Sequence, residues 1–300
     1  MAFQPPGPET CREAIGDRSS LSGDLRQAFE PGTDFEPIPA PGPRDWLAVH
    51  RELGQTFGQF KDSRPIRPDT RRRKIYLQPL GEFPLGPSPS LDLLEQYAAV
   101  YFALETETLP AVHHGNFTAR INRLTHNRQI LTTDVLRFLM TKLPCDAFCI
   151  LAITMEDLYP EPAWNFVFGQ ASLRERVAVF SFARYDATFY ARELTTDYHT
   201  VLLRRSCKVL AHETAHMFGL AHCIFFKCAM NGSNHLDESD CRPMHLCPVC
   251  LRKLQFSVGF DVAQRYEKLA QFYQAAGFAD EARWTRNRLR IFGHENRAHR

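Results

Sequence analysis

Residues 212–222 read His-Glu-Thr-Ala-His-Met-Phe-Gly-Leu-Ala-His, and this string constrains the chain more than any other feature. His212 and His216 are four apart, so a helix through them stacks both imidazoles on one face, one turn apart. That is the spacing needed to chelate a single metal ion through two nitrogens. Glu213, one step around the helix, reaches a water on such an ion without becoming a ligand. Gly219 suits the left-handed position just past a helix end, where the chain turns back and can present His222 as a third nitrogen. Three protein ligands with one open position describe a catalytic rather than a structural zinc site. On that reading the ion acidifies a water and Glu213 takes its proton as general base. A bare His-Glu-x-x-His also occurs on ordinary amphipathic helices, where the histidines are only packed or solvated. Gly219 and His222 decide the reading, because each adds a distinct job, one steric and one coordinative.

A second cluster follows at once. The nine cysteines lie at 11, 145, 149, 207, 223, 228, 241, 247 and 250. Cys223 and Cys228, an intervening loop, and then Cys247-Pro248-Val249-Cys250 have the spacing of a tetrahedral four-cysteine zinc site, which would staple the loop after the active-site helix. Four buried free thiols are the competing reading, and Cys241 inside the loop is a competing ligand. Cys11, Cys145, Cys149 and Cys207 read as isolated thiols. Two zinc ions per chain are expected.

The bulk composition excludes other classes. A formal net charge of +2 gives no field for nucleic acid or an anionic membrane. No run approaches the ~18 apolar residues of a membrane span, and no secretory signal is read at the start. An odd number of clustered cysteines fits a reducing compartment, the cytoplasm, with the nucleus left open. Apolar residues make up 44% of the 300, enough for a sizeable core.

The chain divides by pattern into three parts. Residues 1–73, with the run Pro37-Ile38-Pro39-Ala40-Pro41-Gly42-Pro43, read as a Pro-rich, partly ordered arm. A short helix over 45–57 lies within it, and the arm ends at the basic run Arg71-Arg72-Arg73-Lys74. Residues 74–260 read as the catalytic domain. Strands are expected at 75–80, 109–112, 146–154, 164–169 and 177–182, and helices at 91–104, 131–143 and 201–218. The near-continuous apolar run of 146–154 is the mark of a strand buried on both faces. The order indicates an α/β layer with antiparallel character near its end. Residues 261–300 read as a C-terminal helical extension broken near Gly277, with a basic tail frayed from His294.

Together these residues resemble the archaemetzincins, a branch of the metzincin zinc peptidases. The likeness runs through His212-Glu213-Thr214-Ala215-His216, Gly219, His222-Cys223, Cys228-Ala229-Met230 and Cys247-Pro248-Val249-Cys250. It extends to Asp157-Leu158-Tyr159-Pro160, the segment 164–172, Phe180-Ser181-Phe182-Ala183-Arg184-Tyr185 and Gly232-Ser233-Asn234-His235-Leu236. It is strong over 145–260, thinner over 74–145 and absent before 74.

The resemblance implies a zinc metalloprotease acting on peptide or protein substrates, with aminopeptidase action suggested. His212, His216 and His222 would hold the catalytic zinc beside Glu213. Cys223, Cys228, Cys247 and Cys250 would hold a structural zinc. Met230 would be the Met-turn residue, although from the residues alone a plain core role fits equally. The implied fold is a mixed twisted sheet packed on helices, with the active-site helix followed by the zinc-stapled loop and C-terminal helices. Residues 163–183 are candidates for the edge strand that pairs with extended peptide, and for its neighbour. Two rival readings remain. One is a zinc-stabilised interaction protein with little turnover. The other is an adaptor using the arm and the helical face of Tyr266, Leu269, Phe272 and Tyr273. Intact Glu213 favours the enzyme, since a structural site has no use for a base.

Overall fold

All eight residues of 147–154 are buried, and that segment organises one of the chain's two units. The computed structural model describes residues 3–84, 86–191 and 193–292. The expected frayed tail from His294 lies outside them. Contacts divide the chain into one unit of residues 68–217 and another of residues 1–67 with 218–300. This division cuts after Arg67 and Met217 rather than at 73 and 260.

The second of these units begins the chain. Its N-terminal part carries α1 (Pro8–Ile15), α2 (Gly23–Ala28), α3 (Trp46–Val49) and α4 (Phe57–Asp62). Of the helix expected over 45–57 only Trp46–Val49 forms, and α4 starts where the expected one ends. Between them Gly54 adopts φ +69, and Thr56 opens α4 with a capping box closed by Gln59. This stretch contributes Ala14, Ile15, Phe29 and Phe60 as fully buried side chains.

The middle unit holds β1 (Lys74–Leu80), α5 (Leu91–Phe102), β2 (Thr106–Thr108), β3 (Ala119–Ile121), β4 (Arg128–Leu131), α6 (Thr132–Lys142), β5 (Ala147–Thr154), β6 (Asp157–Tyr159), β7 (Gly169–Ser172), β8 (Val177–Ser181) and α7 (Tyr198–Met217). The main sheet runs β2-β1-β5-β8-β7, and β3-β4-β6 form a smaller one. β1, β2, β5 and β8 are mutually parallel, and β7 closes the edge antiparallel to β8. The edge and its neighbour thus fall within 163–183 as expected. The strand itself begins at Gly169, and the expected strand at 164–169 is reduced to a bridge from Val167 to Leu158. Likewise 109–112 forms only a bridge from Val112 to Leu80.

The parallel strands explain the apolar run of β5, because both faces of that strand are covered. Ile150 and Ala152 of β5 join Val177 and Val179 of β8 and Val135 and Leu139 of α6 in one core. α7 packs on α5 and on β7 and β8, which fixes the helix that bears His212, Glu213 and His216. A buried ion pair lies in this unit. Arg184 donates to both oxygens of Asp157 at 2.8 Å and lies over the Phe166 ring.

The unit that begins the chain resumes at 218. α8 (Leu236–Cys241), α9 (Pro248–Val258), α10 (Val262–Ala275) and α11 (Ala279–Ile291) follow, the last two separated at Gly277 as expected. Buried cations tie the N-terminal stretch to these helices. Arg252 donates to the carbonyls of Ile15 and Asp17, Lys253 to the carbonyl of Gln55, and Arg288 to Asp34 and the Ala28 carbonyl. Such groups tolerate burial only when their donors are met, so these contacts specify where the stretch lies.

Candidate metal centre

α7 buries Leu202, Leu203, Val209, Leu210, Ala211 and Ala215, and this packing leaves the metal-binding face a fixed orientation. His212 is buried, while Glu213 and His216 are half-buried. The Nε2 atoms of His212 and His216 are 3.1 Å apart, with their rings edge-on. Two neutral imidazoles cannot hold facing lone pairs that close without a proton or a cation between them. Two nitrogens on one tetrahedral zinc, each at about 2.05 Å, lie about 3.3 Å apart, so the spacing fits a shared ion. Helix α7 ends at Met217, and Gly219 takes φ +82 as the turn requires. A side chain at Gly219 would also come within 3.3 Å of Pro65. His222 follows the helix by five residues, just past the turn at Gly219, and supplies a third imidazole in the same string. Three neutral imidazoles are a donor set that suits zinc.

His222 has partners that sequence reasoning missed. Its Nδ1 lies 2.8 Å from Glu52 Oε1, and the same oxygen accepts from Trp46 Nε1 at 2.8 Å. The Trp46 indole stands edge-on to the His222 ring, 5.1 Å between centroids. Burial pushes the Glu52 carboxyl up, but the hydrogen bonds from His222 and Trp46 outweigh that and hold it below the ordinary range. Gln55 braces the turn before His222, accepting from the Ala221 N–H and donating to the Gly219 carbonyl. Glu52 and Gln55 sit in a stretch with no motif, so no local signal marks them.

The four cysteines also converge. Cys223, Cys228, Cys247 and Cys250 are buried, with sulfurs within 4.8 Å of one another. Burial raises the Cys223 thiol, but hydrogen bonds from Cys228, Cys247 and Cys250 more than offset it and favour the thiolate. The Cys247 N–H donates to Cys228 Sγ at 3.2 Å. Asn231 clips the loop: its Oδ1 accepts from the Cys228 N–H, and its Nδ2 donates to the carbonyls of Cys223 and Phe226. Cys241, the competing ligand, is exposed and outside this group. Met230 is fully buried, and its carbonyl accepts from the Cys223 N–H at 2.8 Å.

A third set, Asp45, His235 and Glu238, also gathers within 4.8 Å. Here the atoms are engaged with each other and with backbone. His235 Nε2 meets Asp45 Oδ1 at 3.0 Å, and its Nδ1 accepts from the Glu238 N–H as the cap of α8. Glu238 accepts from the N–H groups of Trp46 and Asn234. The set is a helix-capping network.

Comparison with known proteins identifies the family. The family described as Peptidase family M54 matches residues 105–256. Archaemetzincin-2 of Homo sapiens is 43% identical over 281 residues, covering 83% of this chain and 77% of that protein. Archaemetzincin-1 of Homo sapiens is 34% identical over 260 residues, 77% of this chain and 52% of that protein. Among solved structures, archaemetzincin from Methanopyrus kandleri is 29% identical, covering 63% of this chain and 97% of that one, with a TM-score of 0.47. The chain belongs to the archaemetzincins, peptidase family M54, and is a zinc metallopeptidase. Its substrates are accordingly peptides or proteins. No helix among the described residues is long and apolar enough to cross a membrane.

Proposed function

We propose that His212, His216 and His222 hold the catalytic zinc and that Glu213 is the general base for hydrolysis of a peptide bond. The observation that carries this is the 3.1 Å approach of the His212 and His216 Nε2 atoms, with Glu213 next to His212 on the same helix. Zinc, when bound, supplies Lewis-acid polarisation of the attacking water and of the peptide carbonyl. A carboxylate oxygen of Glu213 takes the proton of that water and returns it to the departing amine nitrogen. α7 holds this carboxylate at a fixed place, so it moves the proton without reorganising.

Cys223, Cys228, Cys247 and Cys250 are the ligands we propose for a second, structural zinc, giving two per chain. The closed, buried four-sulfur set supports that role, since it leaves no open position. Met230 is proposed as the apolar floor of the metal centre, in keeping with its complete burial. Edge strand β7 offers main-chain groups to which an extended substrate can pair. Aminopeptidase action is the mode we propose, on the family likeness. A peptide-library digest read by mass spectrometry tests that mode. Single residues released from free N-termini support the mode, and internal cuts alone contradict it.

A further inference from the structure

Residues 46–55 precede every recognisable motif of the chain, yet they contact the third histidine and the turn that presents it. With Nδ1 of His222 facing the Glu52 carboxylate at 2.8 Å, a hydrogen on Nδ1 meets the carboxylate and makes Nε2 the ring's acceptor nitrogen. Trp46 fixes the carboxylate through the same Oε1 atom at 2.8 Å. Gln55 holds the peptide groups of Gly219 and Ala221 with both ends of its amide. Lys253 holds Gln55 in turn through its carbonyl and its side-chain oxygen. Gly54 allows the close approach: at φ +69, a Cβ there would lie 2.6 Å from Ile224 Cγ1. Each of these contacts falls on the segment that His222 needs in order to face a metal.

We propose that Glu52 is a positioning residue for the zinc centre, setting the tautomer and orientation of His222 and raising its basicity, and that Gln55 braces the turn beneath it. The N-terminal stretch is then part of the metal centre's support rather than an appendage. A carboxylate behind a ligating histidine tunes a metal site in this way in general, and its loss costs about 10–100-fold in metal affinity or activity. The inference rests on His222 being a zinc ligand.

The test measures zinc affinity of the full-length chain by competition with a chromophoric chelator, together with the visible spectrum of the cobalt-substituted protein. The wild type is expected to hold one tight zinc on the cysteines and a second on the histidines. Glu52→Ala should leave the cysteine-bound ion in place and weaken the histidine site about 10–100-fold. It should also alter the cobalt bands of that site. Glu52→Gln keeps an acceptor for Nδ1–H but loses the charge, so its affinity should fall between the two and its bands should resemble the wild type. Because it is isosteric, it reports even if the alanine variant folds poorly. Unchanged zinc affinity and unchanged cobalt bands in both variants would overturn the proposal while leaving His222 as a ligand. A wild type holding metal only on its cysteines would overturn the histidine site itself, and this proposal with it.

Discussion

Cys223 Sγ and Cys247 Sγ stand 3.5 Å apart. A disulfide brings sulfurs to about 2.05 Å, so these two are not bonded. Two thiolates on one tetrahedral zinc, each at about 2.3 Å, are separated by about 3.75 Å. The separation fits a shared ion, for which Cys228 and Cys250 are the other proposed ligands.

Metal analysis of the purified chain should therefore return about two zinc per chain. A weak chelator should remove the three-imidazole ion first, because thiolate shells exchange less readily than an open site. A single equivalent, or loss of both ions in one step, contradicts two distinct centres.

Cys247→Ser breaks the four-sulfur shell in the loop that links α7 to α9. Structural zinc contributes directly to folding energy, so thermal stability should fall steeply and the loop should become protease-sensitive. Hydrolysis at the histidine site should change less. An unchanged melting temperature would show that the cysteines hold no structural ion.

Asn231 satisfies three backbone groups of the same loop with one side chain. Asn231→Leu leaves these buried groups unpaired, at about 1–3 kcal/mol for each that water cannot reach. The midpoint of denaturant unfolding should shift down accordingly. A shift indistinguishable from zero would mean that the loop is held by the cysteines alone.

Arg184 and Asp157 are almost wholly buried, with side-chain exposures of 7% and 0%. Removing one partner strands the other charge, so Arg184→Met should cost about 3–5 kcal/mol. Gln129 Nε2 also donates to Asp157 and cannot replace the lost charge. Equilibrium urea unfolding checks this, and a cost below about 1 kcal/mol, the range of a surface pair, contradicts it.

Much of the candidate site is legible because its information is local. His212, Glu213, His216, Gly219 and His222 sit within one helix and one turn. The helix expected at 201–218 is observed at Tyr198–Met217. Buried β5 and the helices at 91–104 and 131–143 announced themselves through unbroken apolar content or helical spacing. Strands β3, β4 and β6 did not, since three or four residues are too few to display a period of two. The N-terminal stretch was illegible for a different reason. Its order comes from pairs far apart in the chain, such as Glu52 with His222 and Arg252 with Ile15. Neither partner of such a pair marks the other in a sequence window, and the prolines between them suggest disorder.

The central claim is that Glu213 moves the proton at a zinc held by His212, His216 and His222. The most direct test compares wild type and Glu213→Gln in peptide hydrolysis, with zinc content measured on the same samples. The variant should keep the wild-type zinc content and lose about 10²–10⁴-fold in kcat. Hydrolysis at the wild-type rate by a zinc-replete Glu213→Gln protein would contradict the mechanism.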